Sequence, residues 1–446
     1  MNIRFIPGPG ADGASKAGAR RRRRPRHGLW AAGVLTLSLL TQTNVQSQEL
    51  NLAEVMEQTL LHHPQLQLFP FEQRRAEALA LQAGIRPNPK LALSAENLLG
   101  SGKYQGVDGA ELTLTFSQLV ELGEKRQRRV DLAQAQQRQQ VQAYEQLRLD
   151  VLAEAASRYY ELLRLQALVA WNQQRIQTEQ EAVAQITERA RAGAVLQADV
   201  TRMRLRLAQS QAELGQLNNA QAQAQRRLAA MWSAEPDFER VQGRLSRLQA
   251  APSAADALNA AQNAPRYLTL LSSERVAEAN RRLQEANQKW DLSYGVGVKH
   301  TLENDDTGLV FNLSVPLHLS DPNQGNLLAA RAEQDRVMHQ QSLARTELRL
   351  TVLDLHRALS DRLAQVQHLE RELLPLAESW LSEMVRAYQA GRVDVRALLD
   401  AQSQQFELQR QRIEMQAEAW QQRLALERLL GQPLTPTTQT MTPETP

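Results

Sequence analysis

The sequence predicts a mainly helical protein with a small β part, laid out as an internal two-fold repeat. Three observations carry that prediction. The 446-residue chain is rich in Ala, Leu, Gln, Arg and Glu, with 4% aromatics and no cysteine, a composition that favours long helices. Four segments, each about ten residues long, alternate between apolar and polar side chains, the period of a strand. Finally, "LHHPQLQ" near Pro64 is echoed by "QNAPRYLTL" near Pro265, and "RARAGAVLQADV" around Gly193 by "RAYQAGRVDVRALL" around Gly391. The separations, 201 (265 less 64) and 198 (391 less 193), are nearly one period, as a duplication leaves them.

Residues 1–47 hold eight of the Lys and Arg and one acid, leaving 44 basic and 48 acidic residues, a net of −4, for the remainder. The run "RRRRPR" would suit a nucleic-acid patch, but "GLWAAGVLTLSLL" follows at once and "NVQSQ" comes after it. Charged, then apolar, then small is the order of a secretory signal peptide, with cleavage expected after Ser47. Its apolar core, residues 29–40, is too short to span a bilayer. No later stretch reaches about 18 consecutive apolar residues. The expectation is an exported protein with no nucleic-acid partner, not held in a membrane by helices. Having no cysteine, it has no disulfide framework, no thiolate metal site and no lipidated N-terminal cysteine.

Each half then reads in the same order. A short helix (52–62; 254–263) ends at an X-Pro step, which disfavours the helical conformation before it. A second helix follows (65–83; 268–289), then two strands around a polar loop. A long helix runs back (120–190; 326–389) to a glycine turn, and a further helix closes the half (197–231; 395–430). The halves span 48–250 and 251–431. "PLTPTTQTMTPETP" is too polar to pack, so 432–446 reads as a disordered tail.

The strands are "KLALSAEN" (90–97), "ELTLTFSQ" (111–118), "WDLSYGVGVKH" (290–300) and "LVFNLSVPLHL" (309–319). In the second, Leu112, Leu114 and Phe116 share one face and Glu111, Thr113, Thr115 and Ser117 the other. This length and pattern suit a strand crossing an outer membrane; period two alone fits a soluble half-buried sheet equally well. The loops "GSGKYQGVDG" and "ENDDTG" are polar, as water-facing hairpin ends are. The long helices carry narrow apolar seams, for example Leu348, Val352, Leu355, Leu359, Leu363 and Val366, the pattern of coiled coils. Pro375 falls inside one of them and is expected to loosen a turn.

Four strands cannot close a barrel, for which about eight is the minimum. An open edge in lipid costs several kcal/mol per unpaired backbone group. Strands in a membrane therefore demand oligomerisation: two copies supply eight strands, three supply twelve and a channel. The long helices then continue the barrel as a tube.

No catalytic constellation is present: there is no phosphate-cradling loop, no HExxH and no nucleophile beside a base. The chain reads as no enzyme, with no cofactor and no metal site. His62 and His63 are adjacent on a helix and point apart; His300 and His318 lie singly on strands. The acids near the glycine turns stand out instead. Asp394 is placed to cap the helix after Gly391, worth about 1 kcal/mol. Asp199 and Asp400 lie beyond a capping position, on helix faces near positive helix ends.

The duplicated order of elements, with its glycine turns, resembles the TolC family of outer-membrane efflux channels over about residues 50–431. "TFSQLVELGEKRQRRV" (115–130) and "LLPLAESWLSEMVRAYQAGRVDVRALLDAQ" (373–402) are similar to the cation-efflux branch, the CzcC- and CusC-like proteins. The resemblance implies a homotrimer with a twelve-stranded barrel in outer-membrane lipid and a continuous α-barrel in the periplasm. It implies a periplasmic adaptor and an inner-membrane RND-type pump as partners, and heavy-metal cations as cargo. Drug efflux and type I secretion are the alternatives within the family, and an exported coiled-coil scaffold or adaptor the alternative outside it. The resemblance puts Gly193, Gly391 and Asp394 at the tips that meet the adaptor. It also implies that Asp199 and Tyr388 hold the pore shut and that Asp400 lines its mouth. The family's tip arginine and a second pore aspartate match Val393 and Ala397 here; Arg392 or Arg396 are the candidate substitutes.

Overall fold

The computed structural model describes residues 49–434 other than Arg247, Gln249 and His318. The expected signal peptide, His318 and most of the expected tail lie outside these residues.

The first half opens with β1 (Glu49–Leu50) and α1 (Leu52–His62), then α2 (Pro64–Gln67) and α3 (Phe69–Ala83). Asn51 caps α1 in a reciprocal capping box with Glu54, which satisfies two free N–H groups at once. The expected single helix over 65–83 is two pieces. The chain breaks at Leu68, two residues before Pro70, where the proline ring disfavours continuation. Then come β2 (Lys90–Glu96), β3 (Glu111–Val120), the 67-residue α4 (Lys125–Arg191) and α5 (Gln197–Ala229). At 1.5 Å per residue α4 is about 100 Å long.

A two-residue strand, β4 (Arg240–Val241), returns to pair parallel with β1. Strands this short have no legible periodicity, and nothing in the sequence announced them. The second half repeats the plan with α6 (Ala254–Ala261), α7 (Pro265–Asn287), β5 (Leu292–Thr301), β6 (Asp306–Ser314), α8 (Gln324–His368), α9 (Leu374–Gln389) and α10 (Val395–Leu430). The last strand begins three residues earlier than expected and stops before Pro316, which cannot donate to the ladder.

The expected helix over 326–389 is interrupted. Residues Leu369–Leu373 form a π turn, and the Leu374 N–H bonds the Leu369 carbonyl. Pro375 lies just beyond: it lacks an N–H, and its ring crowds the carbonyl four residues back. A widened turn is one way a helix accommodates that.

The duplication is written in the backbone. Left-handed residues recur at Glu124 and Asn323 (199 apart), Gly193 and Gly391 (198 apart), and Ser233 and Gly431 (198 apart). Each pair marks a matching helix end.

The sheet order is β2-β3-β5-β6, all antiparallel. The helices pack in the same order, α3 on α4, α4 on α7, α7 on α8, so the helical wall continues the sheet. The joint is tied by Lys125, buried, whose Nζ lies 2.7 Å from Asp291 Oδ1; the same oxygen accepts from the Leu122 N–H at 3.2 Å. Arg129 pairs with Glu121 alongside.

The main core lies midway along the helices. Tyr159, Tyr160, Leu163 and Trp171 of α4 meet Phe406, Ile413 and Trp420 of α10 beneath Trp232, Phe238, Val241 and Leu245. Tyr160 stacks on Trp420 at 4.3 Å, and the Trp420 indole N–H donates to Leu245 O at 3.0 Å. Leu434, which the sequence reading assigned to the tail, is buried in this core.

Candidate functional site at the hairpin tips

Helix α4 ends at Gly193 and α9 at Gly391, and the two ends are built alike. The Gly193 N–H donates to Ala190 O and the Ala194 N–H to Arg189 O; Gly391 donates to Tyr388 O and Arg392 to Ala387 O. This pair of bonds is a Schellman motif, with the left-handed residue at φ 74° and 70°. A Cβ on either glycine would meet nothing within 4 Å. The requirement is therefore conformational, about 1–2 kcal/mol for a residue with a side chain.

Asp394 caps α10, accepting from the Ala397 N–H at 3.0 Å. Asp199 sits in the first turn of α5, where its own N–H bonds Leu196 O. Its carboxylate has no hydrogen bond or ion pair among the described residues, so its tie to the helix is the positive N-terminal end.

The hairpins are joined by an apolar cluster: Ile186, Val200 and Met203 from the first, Val395 and Leu399 from the second, with Tyr388 packed against it. The structure brings Tyr388 to Arg189 rather than to Asp199, with the guanidinium 4.4 Å from the ring centroid. The Tyr388 hydroxyl bonds nothing among the described residues.

Above this cluster lies a charged network. Glu179, almost wholly buried, accepts from Arg175 at 3.0 Å and from Ser210 Oγ at 2.6 Å. Arg175 also reaches Glu213 at 3.2 Å. Arg206 of α5 crosses to α10 and donates to Leu399 O at 3.2 Å. Burial pushes its guanidinium below the ordinary arginine value, offset in part by Glu179 and by exposed Asp400, while Arg175 and Arg202 add to the lowering. Asp400 is one of two carboxylates whose charge opposes that lowering. Arg392 and Arg396 are exposed and unpaired among the described residues.

Sequence reasoning missed Arg189, Arg206 and Glu179. Glu179 carried a faint signal, as an acid on the seam that Ile176 and Ile186 define; Arg189 and Arg206 looked like any other surface arginine. Together these groups can hold two hairpins in contact by weak, reversible forces. Among the described residues no group of three acids or histidines is placed to hold a metal.

A family model described as outer membrane efflux protein matches residues 55–234. The cobalt-zinc-cadmium resistance protein CzcC of Cupriavidus metallidurans is 26% identical over 357 residues, covering 79% of this chain and 82% of that one. The outer membrane protein VceC of Vibrio cholerae matches the fold with a TM-score of 0.70 at 20% identity, over 86% of this chain and 97% of that one. CusC matches with a TM-score of 0.71 at 15% identity, over 86% and 92% of the two chains. The CusC structure is described in terms of transmembrane channel formation, and a further structural neighbour, OprN, as an outer-membrane channel.

Proposed function

We propose that the chain, which matches the outer membrane efflux protein family over residues 55–234, is the outer-membrane channel of a tripartite system, a passive conduit exporting heavy-metal cations. The observation that carries the channel reading is the four-stranded sheet. One face is apolar and bare: Leu93, Leu309 and Phe311 are 72%, 75% and 76% exposed. A patch of that kind marks a lipid or partner contact. Among the described residues the outer edges of β2 and β6 are unpaired, and edges in lipid must be paired. Three copies joined β6 to β2 give twelve strands. The helices at the same edges support this closure, since Leu79 and Leu81 of α3 and Leu343 and Leu350 of α8 are exposed apolar residues.

In this assembly the helical wall extends into the periplasm and six glycine tips surround one mouth. Gly193, Gly391 and Asp394 present those tips to an adaptor, and an RND-type pump lies beyond it. Three copies of Asp400 make a ring that attracts cations at close range, with Asp199, Tyr388 and Arg189 holding the mouth closed. Export by a signal peptide and the barrel itself account for the location.

The metal reading is supported by the likeness to the relative described as a cobalt-zinc-cadmium resistance protein. A deletion strain is expected to lose resistance to cobalt, zinc or cadmium salts while keeping resistance to hydrophobic drugs. Sensitivity to drugs alone would establish the drug-efflux reading in its place. A heat-shift gel on isolated outer membranes is expected to show a trimer; recovery in the soluble fraction defeats the channel reading altogether.

A further inference from the structure

We infer that a groove between α6, α7 and α8 is the seat for the α2–α3 turn of a second copy of this chain, and that the seam made there is apolar where the matching seam inside the chain is polar. The groove has a volume of about 640 Å³, and Leu258, Tyr267, Arg345, Leu348 and Arg349 are among its walls.

The duplication identifies the occupant. Glu124 and Asn323, the left-handed residues before the two long helices, are 199 apart (323 less 124), so α4 positions map onto α8 by adding 199. Pro64 and Pro265, which open α2 and α7, are 201 apart (265 less 64), so α7 positions map onto α2 and α3 by subtracting 201. Arg345, Leu348 and Arg349 are then the counterparts of Gln146, Leu149 and Asp150 on α4. Inside the chain, that patch of α4 is covered by the start of α7. Thr269 Oγ1 lies 3.3 Å from Gln146 Oε1, and Pro265 lies beside Leu149. Pro265 and Thr269 map onto Pro64 and Leu68. On α8, Arg345 and Arg349 are exposed instead, since α3, the counterpart of α7, packs on α4 of its own half.

Exposure on the other edge points the same way. On α7, which packs against both α4 and α8, Ser272 is 7% exposed. Its counterpart on α3, Phe71, is 62% exposed, and Leu68 is 59% exposed. Large apolar side chains left bare at positions that the other half covers mark a contact surface.

The two seams differ in chemistry as their tasks require. Within the chain the contacts are polar: Gln146 with Thr269, and Gln139 Nε2 donating to Ser273 Oγ at 2.9 Å. The chain itself keeps those helices together. At the edges, Leu68 stands for Thr269 and exposed Met338 for Gln139. Separate copies lose translational freedom on joining, and burial of apolar surface opposes that loss. One wall of the groove is set beforehand, because Arg345 Nε donates to the Tyr267 hydroxyl at 2.8 Å. Helices α3 and α8 continue the β2 and β6 edges, so the inference rests on the several-copy reading above and adds to it a register and a named contact.

The test is cross-linking. The chain has no cysteine, so two engineered thiols are the only ones. In outer membranes from cells expressing the full chain, Leu68→Cys/Arg345→Cys treated with a short bis-maleimide is expected to give cross-linked dimers and trimers on a denaturing gel. Each single variant is expected to run as monomer. Gln146→Cys/Thr269→Cys, the within-chain counterpart, is expected to close inside one chain, shifting its mobility without a higher band. Leu68→Cys/Arg331→Cys moves one thiol about 21 Å along α8 and is expected to give no cross-link. Phe71→Ser, which copies Ser272, is expected to lower the temperature at which the native oligomer dissociates, while the chain still reaches the outer membrane. A wild-type oligomer with no cross-link in Leu68→Cys/Arg345→Cys, or with one in Leu68→Cys/Arg331→Cys instead, overturns the groove contact and leaves the channel reading standing. A wild-type chain that is monomeric in the membrane overturns both.

Discussion

Tyr388 meets the first hairpin through its ring, not its hydroxyl. Its partner is the Arg189 guanidinium, and a cation over an aromatic face contributes about 0.5–1 kcal/mol when exposed and more when dry. Tyr388→Phe keeps the ring and is expected to leave closed-state conductance unchanged in planar bilayers. Arg189→Gln removes the cation. Three copies acting together, at about 1 kcal/mol each, shift the closed–open balance on the order of 100-fold. A leak in Tyr388→Phe equal to that in Arg189→Gln would return the role to the hydroxyl and Asp199. Glu427 offers a second test. Burial pushes its carboxyl above the ordinary carboxylate value, and the Arg423 hydrogen bond only partly opposes this. The folded chain therefore holds this proton more tightly than the unfolded chain. The resulting stability is complete below the unfolded carboxylate range and is lost as pH rises through the raised folded value. Glu427→Gln is expected to raise the midpoint of thermal oligomer dissociation at pH 7 and to change it little at pH 4. An equal gain at both values would show that the charge is not the cause.

Among the elements, the joint between sheet and helices depends on the Lys125–Asp291 pair. Removing one partner of a buried pair strands the other charge, at about 3–5 kcal/mol. Asp291→Asn is thus expected to lower the denaturant resistance of the folded chain by roughly that amount. Adding Lys125→Met should recover most of it; a double variant no better than the single would refute the account. The segment around this joint, "ELGEKRQRRV", was legible as a motif but not as a mechanism. Its partner residue lies 166 positions away, across the two halves. Long helices, strands and glycine turns were legible because each rests on local periodicity or on a backbone conformation that one residue type favours. The break at Leu68 and the π turn were harder. A proline tells that a helix is disturbed, while the form of the disturbance depends on what packs around it. The β1–β4 pair was invisible because two residues carry no period.

At the scale of the whole molecule, the two faces of the sheet predict opposite responses to the same change. Phe311→Arg puts a cation on the apolar face, at about 2–4 kcal/mol per chain near the bilayer midplane, and is expected to abolish assembly into liposomes. Asn312→Arg, one residue along and on the polar face, is expected to assemble normally and to alter ion selectivity. Equal assembly of both would mean that this face does not meet lipid. The chain's own sequence determined the duplication, the strand and helix types and the capping role of Asp394, because these follow from spacing along the chain. The tertiary structure alone decided which arginine faces Tyr388 and that Arg206 reaches across to the Leu399 carbonyl, next to Asp400 in the chain. Such pairings join residues up to about 200 positions apart, and charge energies depend on distance and burial, quantities that exist only once the helices have packed.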